Sequence, residues 1–370
     1  MKTLQEIWDL LTAQQGEIQT LQQQNEVLAN ALGANLPWQI TRVYTNGATG
    51  TGPSIAYGPG GKPGVAFGEG YFGVTNRLHY AAMVGHSWTT TVADSTDDSG
   101  WNASLAFSPA GRPYVSHILY TAQILRVSSF NGSVWTHTNV ATGADFAWTS
   151  LAFGPDGQPA IAYGDDTAGT LKYAHFNGVA WSNEVVENVA VGQVSLKFGP
   201  DGLPAISYYD GGAATLMLAT NDGTAWGSLL VAGPSAGRGN ALAFSRAGRP
   251  IISYWDETAN QINLATYDGV TFASDIVDTG VGGINGSITS AGINMAGRPV
   301  IAYWDSLLFD LKYAEYDGAV WSVSTLDAIN TVGFFLSMAV SPAGEISIAY
   351  TDATTADLKV ARRGLPVFTP

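Results

Sequence analysis

Six acidic residues recur at one place in this chain, each closing an apolar run that follows a glycine turn: Glu69, Asp165, Asp210, Asp256, Asp305 and Asp352, with Leu119 at the remaining equivalent place. Two residues before each stands a ring, at Phe67, His117, Tyr163, Tyr208, Tyr254, Tyr303 or Tyr350. In three consecutive repeats a further aromatic, Tyr209, Trp255 or Trp304, lies between the two. Aromatic faces stack on the C–H faces of sugars, and carboxylates accept hydrogen bonds from sugar hydroxyls. Asp165, Tyr209, Asp210, Trp255, Asp256, Trp304 and Asp305 are therefore the expected carbohydrate-binding residues. The same types also have a structural use: an aspartate at a strand end bonds the N–H groups of its own turn, and alternate tyrosines pack.

Other chemistry is not encoded in recognisable form. His79, His86, His117, His137 and His175 fall at different places in the repeat, without metal-ligand or base-nucleophile spacing. There is no cysteine, so thiolates and disulfides are excluded. Asp94, Asp97 and Asp98 match no calcium loop and read as solvated charge. Phosphate-loop and dinucleotide fingerprints are absent. No metal and no cofactor is expected. Nearly equivalent acids in equivalent repeats offer no pair with separated pKa values, which predicts a non-enzymatic protein. The catalytic alternative is a glycan-degrading enzyme with two carboxylates about 5–10 Å apart.

Residues placed this regularly need a repeating frame. The phrase Ser-Leu-Ala-Phe, a glycine turn and an apolar run ending in Tyr-x-Asp returns around Gly61, Gly111, Gly157, Gly202, Gly248, Gly297 and Gly344. Each repeat divides into four strand-like runs, in the third at 150–153, 160–163, 171–176 and 179–186. Asn177-Gly178 supplies a hairpin signal between the last two. Seven such units predict an all-β, seven-bladed β-propeller of four-stranded antiparallel blades. Trp88, Trp135, Trp181, Trp226, Phe272 and Trp321 share one place in the fourth run and are read as packing between blades.

The seventh repeat ends after its third run, whereas Trp38 precedes Ser54 at the distance at which Trp88 precedes Ser104. A strand around Trp38 is expected to complete the last blade, with Phe368 competing for the slot; closure from both termini removes exposed sheet edges. One propeller over 34–370 follows. If the face carrying the connections between blades is the top, the acids lie at the top. The variable top loops carry Trp101, Phe146, Trp148, Phe334 and Phe335.

Residues 1–33 follow a period of seven. Leu4, Leu11, Ile18, Asn25 and Leu32 form one column, and Ile7, Gln14, Leu21 and Leu28 the next. That is a coiled-coil seam with a polar Asn25 in an a column, a device that fixes register and strand number. The segment is expected to be a homo-oligomerising stalk leaving from the bottom face, with a trimer as the compromise between its core residues and Asn25.

The net charge is -14, which argues against nucleic acid and anionic membranes as partners. No run of 18 apolar residues is present and the N-terminus has no apolar signal region, so neither membrane insertion nor a signal peptide is expected. An extracellular or cell-surface role is inferred from the binding chemistry.

The hairpins from Asn177-Gly178 to Trp181, Asp222-Gly223 to Trp226 and Asp317-Gly318 to Trp321 resemble the Asp-box of sialidase-like propellers. The acid sits one place late, and the leading Ser or Thr is mostly Ala. The resemblance implies a bacterial repeat-built propeller in which the box is structural. Sialidases of that kind need three converging arginines, and only Arg77 and Arg238 are expected to reach the top here. The sequence therefore predicts a lectin-like, multivalent binding protein. A surface-assembly protein without a small-molecule site is the alternative, and the carboxylate enzyme comes after it.

Overall fold

The computed structural model describes residues 37–45, 49–70, 76–282 and 289–364; the heptad segment 1–33 and Phe368 lie outside the described residues. Every regular element among the described residues is a β-strand, and these form seven four-stranded antiparallel sheets, a seven-bladed β-propeller. In the third blade the strands run from axis to rim as Phe146–Phe153, Pro159–Asp165, Thr170–Phe176 and Trp181–Glu187. Phe146 lies opposite Asp165, so the first strand starts, and the second ends, at the top.

The seventh blade is assembled from Val332–Val340, Ile346–Asp352, Asp357–Arg363 and, as its fourth strand, Gln39–Tyr44. Gln39 pairs with Arg362 and Thr41 with Val360. Just before that strand, the Trp38 ring stands 5.0 Å from Tyr313 of the sixth blade. Trp135 meets Tyr80 at 5.4 Å and Trp226 meets Tyr173 at 5.3 Å in the same way. Both termini therefore share a blade, and the ring has no open edge.

Middle strands are apolar on both faces because each faces a neighbouring blade. Pro159–Asp165 is buried at every position, and Leu171 and Ala174 on the next strand are fully enclosed. Around the axis a belt of serines ties each inner strand to the next. The Ser54 Oγ accepts the Leu105 N–H at 2.9 Å, Ser104 that of Leu151, Ser150 that of Leu196, and Ser195 that of Leu242. Ser290 accepts from Met338 and Ser337 from Ile55, closing the circle except where Ala241 stands in place of serine.

Charged clamps join blades further out. Lys312 lies 2.6 Å from Asp305 of its own blade and 3.3 Å from Asp278 of the preceding one, to which the Tyr303 hydroxyl also donates. Lys359 bridges Asp352 at 2.8 Å and Asp327 at 3.1 Å in the same manner. Between the first two blades Arg126 reaches Asp94 at 3.0 Å, with His117 in the tyrosine's place. Asp94, expected as solvated charge, is thus buried and paired.

Candidate functional site

The structure separates the seven expected sugar-binding residues. Trp255 and Trp304 are only 1% and 4% exposed and belong to inter-blade cores, Trp255 among Ile251, Ile262 and Tyr303. Neither offers a face to a sugar, which corrects the expectation that they lie at the rim.

The acids cap turns. Asp165 accepts the Ala168 N–H at 2.9 Å and pairs with Lys172 at 2.6 Å. Burial pushes its carboxyl up, but the Lys172 ammonium and the Ala168 N–H outweigh that and hold it below the usual carboxylate range. Asp305 accepts the Leu307 and Leu308 N–H groups and pairs with Lys312, and it is buried. Asp210 accepts from Gly212 and Ala213, and Asp256 from Ala259. Asp165 and Asp305 are engaged through both oxygens, by turn N–H groups and a lysine, whereas Asp210 and Asp256 are held by turn N–H groups through Oδ1 alone.

Tyr209 alone among the seven lines a concave site. It opens on the top face with a volume of about 480 Å³, and Trp148, Gln193, Arg238, Phe334 and Phe335 line it as well. That volume lies within the range of small-ligand pockets. The Arg238 guanidinium carbon sits 5.3 Å above the Tyr209 ring. Its Nε is 3.8 Å from Glu257, and both side chains are about half exposed, so Arg238 keeps donors for a ligand. The Phe334 ring meets Phe335 at 4.4 Å and stands edge-on to the buried Trp304 at 4.8 Å. Trp304 thus supports the site from below.

A backbone irregularity common to most inner strands shapes this pocket. The ladder between first and second strands slips at Trp148 in the third blade, between Val191 and Val194 in the fourth, between Arg238 and Ala241 in the fifth, and between Val332 and Leu336 in the seventh, as it does before Ser54 and Ser104 in the first two. A β-bulge leaves residues unpaired and re-aims their side chains. The residues it frees are Trp148, at φ 44°, together with Gln193, Gly239, Phe334 and Phe335. Gly192 completes the arrangement, since a Cβ there would stand 3.1 Å from the Tyr209 ring. Sequence reading placed Trp148, Phe334 and Phe335 in top loops without joining them to Tyr209. The spacing before the Ser-Leu-Ala-Phe phrase does not mark these blades, and only the aromatic types at these positions set them apart.

Fold and site together define a seven-bladed β-propeller with one asymmetric aromatic pocket, carrying a single arginine, on its top face. No protein-family model matches the chain, and no curated protein matches it. Among solved structures it is similar to a polysaccharide lyase, an ulvan lyase bound to -[GlcA(1-4)Rha3S]-, with a TM-score of 0.60 at 9% identity over 87% of this chain and 95% of that one. It is also similar to a triple arginine-to-alanine mutant of AofleA from Arthrobotrys oligospora, at 0.54 and 11% over 78% and 90%. A protein of unknown function from Dyadobacter fermentans matches at 0.53 and 12% over 78% and 96%. Identities this low establish shared fold. They also correct the expectation of a non-enzyme: that expectation rested on equivalent blades lacking a carboxylate pair, and the fold is one on which a polysaccharide lyase is built.

Proposed function

We propose that this protein is glycan-active and takes an anionic polysaccharide, one bearing uronate or sulfate groups, in the pocket of Tyr209 and Arg238. The observation that carries the reading is the half-exposed guanidinium held over an aromatic ring inside an otherwise aromatic pocket. Sugar C–H faces stack on Trp148, Phe334 and Phe335, while Arg238 takes the carboxylate or sulfate through paired N–H donors. In a chain of net charge -14 such a ligand gains nothing from the overall field, so recognition rests on this local cation.

Cleavage of the bound chain belongs to the same reading. Elimination across a uronate needs no carboxylate pair; it needs a cation beside the sugar carboxylate and a group that takes a proton. In this reading Arg238 neutralises the uronate carboxylate, Tyr209 in its ionised form takes the C5 proton as the C4–O bond to the departing sugar breaks, and water protonates the departing oxygen.

The test is equilibrium binding of a polyuronate, a sulfated polysaccharide and a neutral glucan to the wild type, Arg238→Ala and Tyr209→Ala. Each variant should weaken anionic-glycan binding at least about tenfold, as expected for losing a charge-assisted contact or a stacking ring. Equal binding of the neutral glucan, or unchanged binding by both variants, refutes the proposal. Ultraviolet absorbance of an unsaturated uronate product reports cleavage in the same samples. We further propose that the heptads of residues 1–33 tie several propellers together, so that weak sites gain avidity. Light scattering on the full chain and on residues 34–370 checks this.

A further inference from the structure

The central channel below the aromatic pocket has a composition that glycan binding on the top face does not use. Its cavity, about 230 Å³, is lined by all six belt serines, and Lys197 is the one charged residue on its wall among the described residues. Lys197 is out of pattern. At the same place in the other inner strands stand Ala56, Ala106, Ala152, Ala243, Gly292 and Ala339, small residues that none of the cavity lining includes. A lysine in that layer therefore forms the cavity floor, and its neighbours leave it room.

Neither an ion pair nor a hydrogen bond holds the Lys197 ammonium among the described residues. Each of the other described lysines in the inter-blade layers, Lys172, Lys312 and Lys359, has at least one carboxylate within 3.3 Å. Lys197 is solvent-exposed, and partial desolvation by the strands around it holds its ammonium below the usual lysine pKa. The serines above it supply the complementary groups. Each Oγ already accepts a backbone N–H from the next blade, so each hydroxyl hydrogen remains to be donated. Only Ser290 has a protein acceptor for it among the described residues, the Met338 carbonyl at a long 3.5 Å.

We propose that the central channel is a binding site for a small oxyanion of the sulfate or phosphate type, seated between the Lys197 ammonium and the serine hydroxyls. An ammonium with no acid nearby and a ring of O–H donors with no acceptor both lack what an oxyanion provides. A cation is the wrong ligand, because no carboxylate lines the cavity. The channel adjoins the Arg238 pocket through Trp148, Gln193 and Phe335, but the groups that seat the oxyanion are not those that take the glycan, and substitution of Lys197 tests it independently.

The experiment uses inorganic sulfate and phosphate with the full chain, by titration calorimetry at constant ionic strength. Lys197→Met keeps the length of the side chain and removes its charge, and Lys197→Arg keeps the charge. A saturable site is expected in the wild type, weakened at least about tenfold in Lys197→Met and retained in Lys197→Arg. In buffer free of oxyanions Lys197→Met should melt close to the wild type, because Lys197 is exposed and no acid pairs with it; loss of binding is then not loss of fold. With sulfate present, the wild-type lysine should titrate at higher pH by NMR. Sulfate stabilises most proteins non-specifically, so an equal response in Lys197→Met, or the lack of a saturable site in the wild type, overturns the proposal.

Discussion

Replacing Trp255 by alanine separates the two roles that its sequence position suggests. The ring is 1% exposed and packed among Ile251, Ile262, Leu264, Val277, Ile301 and Tyr303 of two adjoining blades. Removing a large buried aromatic costs roughly 3–5 kcal/mol through lost transfer energy and the cavity left behind. The indole Nε1–H is buried without a partner among the described residues. Deleting it returns part of the cost, since an unsatisfied buried donor is worth about 1–3 kcal/mol. The net loss is then up to about 4 kcal/mol, or a fall in melting temperature of up to roughly 6 °C for a domain of this size. Trp255→Phe keeps most of the ring and also removes the orphan donor, so it should stay within about 1 kcal/mol of the wild type. Urea unfolding followed by tryptophan fluorescence measures both, and glycan binding is measured well below the melt. Trp255→Ala should bind anionic glycan as the wild type does. A variant that keeps its stability and loses its glycan would refute the assignment of Trp255 to the core.

The other buried polar devices give expectations of different sign. Lys359→Met strands Asp352 and Asp327 without their shared cation and should cost about 3–5 kcal/mol in urea unfolding. Ala241→Ser restores the missing member of the axial belt and should stabilise by about 1 kcal/mol, whereas Ser104→Ala orphans the Leu151 N–H and should destabilise by about 1–2 kcal/mol. Burial of His117 lowers its pKa, so the folded state takes up a proton later than the unfolded chain does. Its contribution to stability is therefore lost as pH falls below ~6.5, at up to about 1.4 kcal/mol per pH unit. His117→Tyr, the residue used by most other blades, should flatten that slope in melts taken between mildly acidic and neutral pH.

The frame was legible because propeller physics acts residue by residue at a fixed period. Ser104 and Ser150 recur because an inner strand needs an acceptor for the next blade's N–H, and Leu171 and Ala174 recur because a middle strand is covered on both faces. Trp38 stands sixteen residues before Ser54, as Trp88 does before Ser104, and it packs on Tyr313 as its counterparts pack on their neighbours. The aspartates recur for an equally local reason. Asp165, Asp210, Asp256 and Asp305 each bond turn N–H groups, and a residue kept by its own turn is periodic whether or not a ligand exists.

Function in a repeat ring has to come from what the period does not dictate, and there are two ways to leave the period. A substitution within the register changes chemistry without changing geometry; Lys197 among six small residues is the example, and reading down the aligned column is enough to find it. The second is a change of residue type where the ladder is itself irregular. Inner strands slip in the first five blades and the seventh, and where the freed positions hold Trp148, Gln193, Phe334 and Phe335 the ring carries them beside Tyr209. Trp255 and Trp304 also differ between repeats and keep register as Tyr209 does, but they are packed into inter-blade cores. Variation alone is therefore a weak guide in a propeller. Variation at positions the ladder leaves unpaired, on an inner strand and at the top, is the better guide to a side chain that meets a ligand.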